Sequence, residues 1–168
     1  MEYKTDKYKH GHIPVYKRLL EKFGDNPFTL LEIGTLEGGS LQFFGNTFPN
    51  ATIVGVDVRK PTLSLPSNVT FHLINQDTPE KIKELGKFDV IIDDASHEYT
   101  RTLGCLNTLW EQANYAYVIE DWAVGYYRDK PYGNMDYIIA DIIKNNKYQA
   151  SGVEVKWDSS ASYAILFK

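Results

Sequence analysis

Apolar positions along this chain switch repeatedly between two spacings. Over residues 13–23 (IPVYKRLLEKF) they recur every three or four positions, which predicts one buried face of a helix. Over residues 28–33 (FTLLEI) they run almost unbroken and stop at Gly34, which predicts a short strand. The same switch then repeats. Residues 40–48 read as a helix, 52–56 as a strand ending at Asp57, and 61–67 as a Pro- and Ser-containing loop. Residues 69–74 alternate like a strand. Residues 78–85 read as a helix with Thr78 as N-cap and Pro79 at its first position. A strand over 88–92, a helix over 100–113, a strand over 115–119 and a helix over 134–145 follow. The last two strands, 153–157 and 163–168, are separated only by DSSAS and its neighbours. That connection is too short for a parallel crossover, so they must pair antiparallel.

Strands alternating with helices predict an α/β fold: a mostly parallel sheet with helices on both faces and a C-terminal antiparallel hairpin. The length of 168 residues fits one domain, residues 1–168. With 43% hydrophobic and 14% aromatic residues the chain can build a proper core. A net charge of -4 argues against a broad basic face for nucleic acid. Cys105 is the single cysteine, so the chain holds no internal disulfide; that fits a reducing cytoplasm, with Cys105 as a small buried helix side chain. The opening MEYKTDKYKHGH has no apolar signal core, and no stretch approaches the roughly 20 apolar residues of a membrane span. The expectation is a cytoplasmic protein without a membrane partner.

In parallel sheets ligands bind outside the carboxyl ends of the strands, so the residues at those ends carry the chemistry. The first strand ends in LLEIGTLEGGSL, where Gly34, Gly38 and Gly39 permit a tight turn into a helix opening at Ser40. The spacing is not GxGxxG, since Leu36 takes the middle position, and there is no Gly-Lys-Ser/Thr ending of a P-loop. Asp57, ending the second strand, can accept hydrogen bonds from ribose hydroxyls. Gln76 and Asp77 follow the third strand, where an acid can meet an adenine amino group. The fourth strand ends in Asp93 and Asp94 and the fifth in Glu120 and Asp121. Two neighbouring strands thus deliver paired acids to one edge. Their repulsion is relieved by protonation or by a hard cation such as Mg²⁺. His97, just past Asp94, has an ordinary pKa near neutrality and suits proton transfer.

Taken together, TDKYKHG (residues 5–11), LLEIGTLEGGSL, IVGVD, FDVIIDDASH and VIEDW resemble the S-adenosylmethionine-dependent methyltransferases of Rossmann-like fold. More narrowly, they resemble the metal-dependent macrolide sugar O-methyltransferases, whose relatives include the cephalosporin-hydroxylase-like and rhamnosyl O-methyltransferase groups. The resemblance covers nearly the whole chain. It implies that Glu32, Gly34, Thr35, Gly38 and Ser40 shape the pocket for the methionine part of S-adenosyl-L-methionine. It further implies that Asp57 holds the ribose, that Gln76 and Asp77 face the adenine, and that Asp93 lies on the cofactor side or makes structural hydrogen bonds. Asp94, Glu120 and Asp121 would bind Mg²⁺ or Mn²⁺, and His97 would be the general base. Two departures stand out. QANYAYVIED replaces the proline-glycine-glycine turn common before the fifth strand, and the macrolide enzymes carry an additional N-terminal region whereas this chain begins almost at the core.

The implied reaction is methyl transfer to a sugar hydroxyl, with a vicinal diol as the natural chelating acceptor. Residues 122–133 (WAVGYYRDKPYG) suit an acceptor lid, and residues 1–24 a segment and helix covering the site. Lys7, His10 and His12 receive no role from the sequence. Other readings are a catechol-type O-methyltransferase and a non-catalytic S-adenosylmethionine-binding module. A nucleotide-dependent oxidoreductase is disfavoured by the missing GxGxxG, and nucleic-acid methylation by the acidic balance. A homo-oligomer is compatible with the sequence.

Overall fold

The computed structural model describes residues 3–126, 134–144, 147–157 and 161–168. Seven strands form one sheet: β1 (Thr29–Ile33), β2 (Thr52–Asp57), β3 (Val69–Leu73), β4 (Phe88–Asp93), β5 (Ala113–Glu120), β6 (Gly152–Lys156) and β7 (Tyr163–Phe167). Five helices accompany them: α1 (His12–Leu20), α2 (Gly39–Thr47), α3 (Pro79–Lys83), α4 (Tyr99–Leu109) and α5 (Tyr137–Lys144). The spatial order is β3-β2-β1-β4-β5-β7-β6. The first five strands are mutually parallel, and β7 runs antiparallel to both β5 and β6. This is the mixed α/β sheet that the hydrophobic pattern predicts.

Alternate residues of a strand face opposite sides, and the two cores follow from that. Leu30, Ile53, Val90, Ile92 and Val118 pack on one face beneath α1 and α2, with Tyr16, Leu41 and Phe44. Leu31, Ile33, Ile91, Tyr117 and Ile119 pack on the other, with Cys105, Leu109 and Ile138. Cys105 is fully buried, as expected of a small apolar side chain. No helix of the described residues is long and apolar enough to cross a membrane.

The element boundaries shift for local reasons. Residues 21–23 leave the α-helical form as a short 3-10 turn, closed by Gly24 at φ 54°. The helix expected to run to residue 113 stops at Leu109, and a 3-10 turn, Trp110–Gln112, follows. Ala113 is instead captured by the sheet, paired with Phe88, while the Trp110 indole donates to the Tyr148 carbonyl at 2.7 Å. Thr78 is the N-cap of α3, but its hydroxyl donates backward to the Asn75 carbonyl at 2.9 Å rather than capping the helix.

The sheet places the site. The chain lays β1, β2 and β3 outward in one direction, then returns to place β4 and β5 on the other side of β1. A crevice opens at the carboxyl ends where the order reverses. Register aligns Ile33 with Val56 and with Asp93, and Asp93 with Ile119. The residues that follow, Gly34, Asp57, Asp94 and Glu120–Asp121, therefore share one edge.

Candidate active site

The glycine turn is built by backbone proximity. The Gly34 N–H donates to the Val56 carbonyl at 2.8 Å, and the Asp94 N–H to the Ile33 carbonyl at 2.9 Å. Gly34 has φ 88°, and a Cβ there would overlap the Asp94 carbonyl. Only glycine meets both demands. The Asp57 Oδ2 accepts the N–H groups of Thr35 at 2.8 Å and Leu36 at 2.9 Å, and its Oδ1 accepts that of Arg59 at 3.0 Å. Asp57 thus clamps the turn that it faces. The Ser40 hydroxyl donates to the Glu32 Oε2 at 2.6 Å. Burial pushes the Glu32 carboxyl up to about 7, against the pull of the Lys7 ammonium and the Ser40 hydrogen bond. The Thr35 hydroxyl is buried without a hydrogen-bond partner among the described residues.

A cleft of about 810 Å³ extends from this turn. Ile33, Gly34, Asp57, Ile74, Asp94 and His97 are among its walls. Gln76 also borders it, but its side chain is committed elsewhere: the amide donates to the Asp93 Oδ1 at 2.8 Å and accepts the Ser96 N–H at 3.2 Å. The Tyr117 hydroxyl donates to the other oxygen of Asp93 at 3.3 Å. Burial lifts Asp93 to about 7, partly offset by these donors and by the Ala95 N–H. Asp93 and Gln76 therefore hold the end of β4 to the loop after β3. Asp77 pairs with the Arg101 guanidinium at 2.8 Å.

At the other end of the cleft, Asp94, His97 and Asp121 converge, one ligand atom from each lying within 4.8 Å of the others. The His97 Nε2 is 3.7 Å from the Asp94 Oδ1 and 3.8 Å from the Asp121 Oδ2. These side chains are 19–25% exposed, so they open to the cleft. His97 and Asp121 both adopt left-handed backbone, at φ 54° and 53°. Such conformations cost of order 1–3 kcal/mol at non-glycine residues and concentrate at functional sites. Asp121 is held there by its N–H, which donates to the Ser162 carbonyl at 2.7 Å.

Glu120 is not drawn into that trio. It is buried and encircled by residues from the N-terminal segment. The Lys7 ammonium lies 2.5 Å from the Glu120 Oε1, 2.5 Å from the Asp94 Oδ2 and 3.4 Å from the Glu32 Oε1. The Tyr16 hydroxyl donates to the Glu120 Oε1, and the His12 Nδ1 lies 2.5 Å from the Glu120 Oε2. Burial alone would raise the Glu120 pKa, but Lys7 and His12 outweigh it and hold the group well below the usual carboxylate range. On Asp94 burial prevails: together with the Glu120 charge it raises that carboxyl to about 7, against Lys7 and His97. Lys7, His12 and Tyr16 have no role legible in the sequence. The available signal was a lysine in TDKYKHG with no acid at helical spacing to pair it.

The donor set suits a divalent cation. Two carboxylates and an imidazole sit together at one open edge. The turn also suits a nucleoside cofactor with an amino-acid tail. It offers a buried unpaired hydroxyl at Thr35, a carboxylate at Asp57 and a close backbone approach at Gly34.

No family model matches the chain. Among curated proteins it is similar to the 8-demethyl-8-alpha-L-rhamnosyl tetracenomycin-C 2'-O-methyltransferase of Streptomyces olivaceus, 27% identical over 131 residues, covering 70% of this chain and 35% of that protein. It is also similar to the demethylmacrocin O-methyltransferase of Streptomyces fradiae, 28% identical over 172 residues, covering 91% of this chain and 43% of that protein. The chain spans less than half the length of these curated relatives. Among solved structures, the MycE methyltransferase of the mycinamycin pathway, in complex with Mg, SAH and mycinamycin VI, superposes with a TM-score of 0.75 at 22% identity. That match covers 92% of this chain and 48% of MycE. In sequence and in fold, the chain thus resembles the sugar O-methyltransferases of the Rossmann-like, S-adenosylmethionine-dependent class.

Proposed function

We propose that the chain catalyses O-methylation of a hydroxyl on a sugar or glycosylated small molecule, using S-adenosylmethionine and a divalent ion, Mg²⁺ or Mn²⁺. The observation that carries this is the convergence of Asp94, His97 and Asp121 at one end of a cleft whose other end is the Gly34 turn. Asp94 and Asp121 would hold the ion. Glu120 borders the same cleft, but its oxygens are engaged by Lys7, Tyr16 and His12. It supports the centre from behind, and direct ligation would require its Lys7 contact to loosen. The cofactor supplies the methyl group, and the ion lowers the pKa of an acceptor hydroxyl and fixes its position.

The remaining work falls to this chain's residues. His97 accepts the hydroxyl proton at Nε2, the nitrogen turned toward Asp94 and Asp121. Those two carboxylates stabilise the imidazolium that results. Asp57 and the Gly34 turn receive the ribose and methionine parts, and Thr35 has a free hydroxyl to offer there. Trp122 directly follows Asp121 in sequence and packs edge-on to Tyr126 and Trp157. Residues 127–133 of the expected acceptor lid lie outside the described residues.

The test is calorimetric binding of S-adenosylmethionine followed by transfer assays on a panel of glycosides and catechols. Transfer to glycosides supports the proposal. Preference for catechols moves the chain to the catechol-type class, and cofactor binding without transfer to any acceptor marks a binding module.

A further inference from the structure

Lys7 is joined to the structure at both ends. Its carbonyl accepts the N–H groups of His12 at 2.9 Å and Ile13 at 3.4 Å, at the start of α1. Its side chain, 2% exposed, inserts among Glu32, Asp94 and Glu120. The segment carrying it is packed tightly against the cofactor turn: a Cβ on Gly39 would overlap the Lys4 backbone. The Tyr16 ring lies 5.7 Å from the ammonium and completes the enclosure.

The two oxygens of Asp94 consequently face different partners. Oδ2 is 2.5 Å from the Lys7 ammonium, whereas Oδ1 is the oxygen nearest His97, at 3.7 Å. A carboxylate pinned through one oxygen cannot rotate the other away. Building on the metal reading above, we propose that Lys7 is a positioning residue that divides the acids at this edge. It takes Glu32, Glu120 and one oxygen of Asp94 as its own counter-charges and leaves the other Asp94 oxygen, with Asp121, to the divalent ion. The ammonium also limits the negative charge that the ion meets, so the ion is held at one place rather than drawn into the buried acids.

This assignment makes two effects of removing the charge run in opposite directions. Without the ammonium the acids attract a divalent ion more strongly, yet Asp94 loses its orientation. The probe is Mn²⁺, titrated into the full chain and followed by electron paramagnetic resonance. Lys7→Met is expected to bind Mn²⁺ about fivefold more tightly or better, because a nearby positive charge has gone. At saturating Mn²⁺ its kcat is expected to fall by about a hundredfold, with the KM for S-adenosylmethionine changed by less than about threefold. Lys7→Arg, which keeps the charge, is expected to bind Mn²⁺ within about threefold of the unaltered chain. Lys7→Gln serves where the Met variant fails to fold. A residue that merely supports the fold would weaken both binding and turnover when removed. Unchanged or weaker Mn²⁺ binding in Lys7→Met would overturn the inference alone. Absence of Mn²⁺ binding in the unaltered chain would overturn the metal reading as well.

Discussion

Gly34 and Asp94 meet through their backbones: the space where a Gly34 Cβ would sit is filled by the Asp94 carbonyl. The Gly34 turn and the acid site are therefore one piece of structure. Gly34→Ala forces an L side chain into φ 88° and into that carbonyl. The expected loss is about 3 kcal/mol or more, the sum of left-handed strain and overpacking. Urea denaturation measures it, and a loss under about 1 kcal/mol would contradict the close approach.

Asp57 clamps the turn through the oxygen that accepts the Thr35 and Leu36 N–H groups, and on the proposed function the same carboxylate would also receive the ribose. Hydrogen bonds to a charged group contribute about 1.5–3 kcal/mol each. Asp57→Ala is expected to lower stability by about 2 kcal/mol and to weaken S-adenosylmethionine binding by about tenfold or more. Asp57→Asn, which keeps an acceptor oxygen, should recover part of the stability. Paired denaturation and calorimetry distinguish a clamp from a residue serving the ligand alone, for which only binding would change.

Most of the fold can be read along the chain because each strand is a local pattern, an apolar run in the middle of the sheet and an alternation at its edges, in β3 and β6. Buried strands such as 29–33 and 88–93 stand out by composition alone, and their acidic or glycine ends mark the functional edge. Boundaries were less legible where long-range pairing overrode helical spacing, as at Ala113, which Phe88 draws into the sheet. The Asp94–His97–Asp121 trio was legible as acids and a histidine at strand ends, and the resemblance carried by VIEDW grouped Glu120 with them. β5 ends at Glu120 and the chain turns at Asp121, with φ 53°, so the two acids part: Asp121 meets His97, and Glu120 is buried against Lys7. That lysine lies 113 positions away in sequence, beyond the reach of any periodicity. Asp93, the least assigned of the acids, is a structural acceptor for Gln76 and Tyr117.

The Glu32 carboxyl carries a pH signature. Its pKa is raised in the folded chain from 4.5 to about 7, chiefly by burial. The folded state therefore binds more protons than the unfolded state between those values, and stability falls as pH rises through that window. Glu32→Gln removes this term. Relative to the unaltered chain, the variant should gain up to about 3 kcal/mol as pH rises from about 4.5 to about 7, and no more above it. Denaturation midpoints of both proteins at pH 4.5, 6 and 8 give the comparison. A constant difference across the series would contradict it.

His97 faces the cleft, and the backbone hydrogen bonds of the Gly34 turn do not involve its side chain. His97→Gln should therefore bind S-adenosylmethionine within about threefold of the unaltered chain, while transfer falls by about a hundredfold or more, the usual size of a general-base contribution. Binding by calorimetry and turnover with labelled cofactor separate the two. Loss of cofactor binding would instead make His97 part of the pocket.

The proposal stands most directly on a metal-depletion experiment. Methyl transfer from labelled S-adenosylmethionine to a panel of vicinal-diol glycosides is measured with the protein stripped by EDTA, then with Mg²⁺ or Mn²⁺ restored, alongside Asp94→Asn and Asp121→Asn. Transfer should vanish on stripping, return with the added ion, and stay absent in both variants. Full transfer in excess EDTA, or full transfer by both variants, would contradict a divalent centre at Asp94 and Asp121.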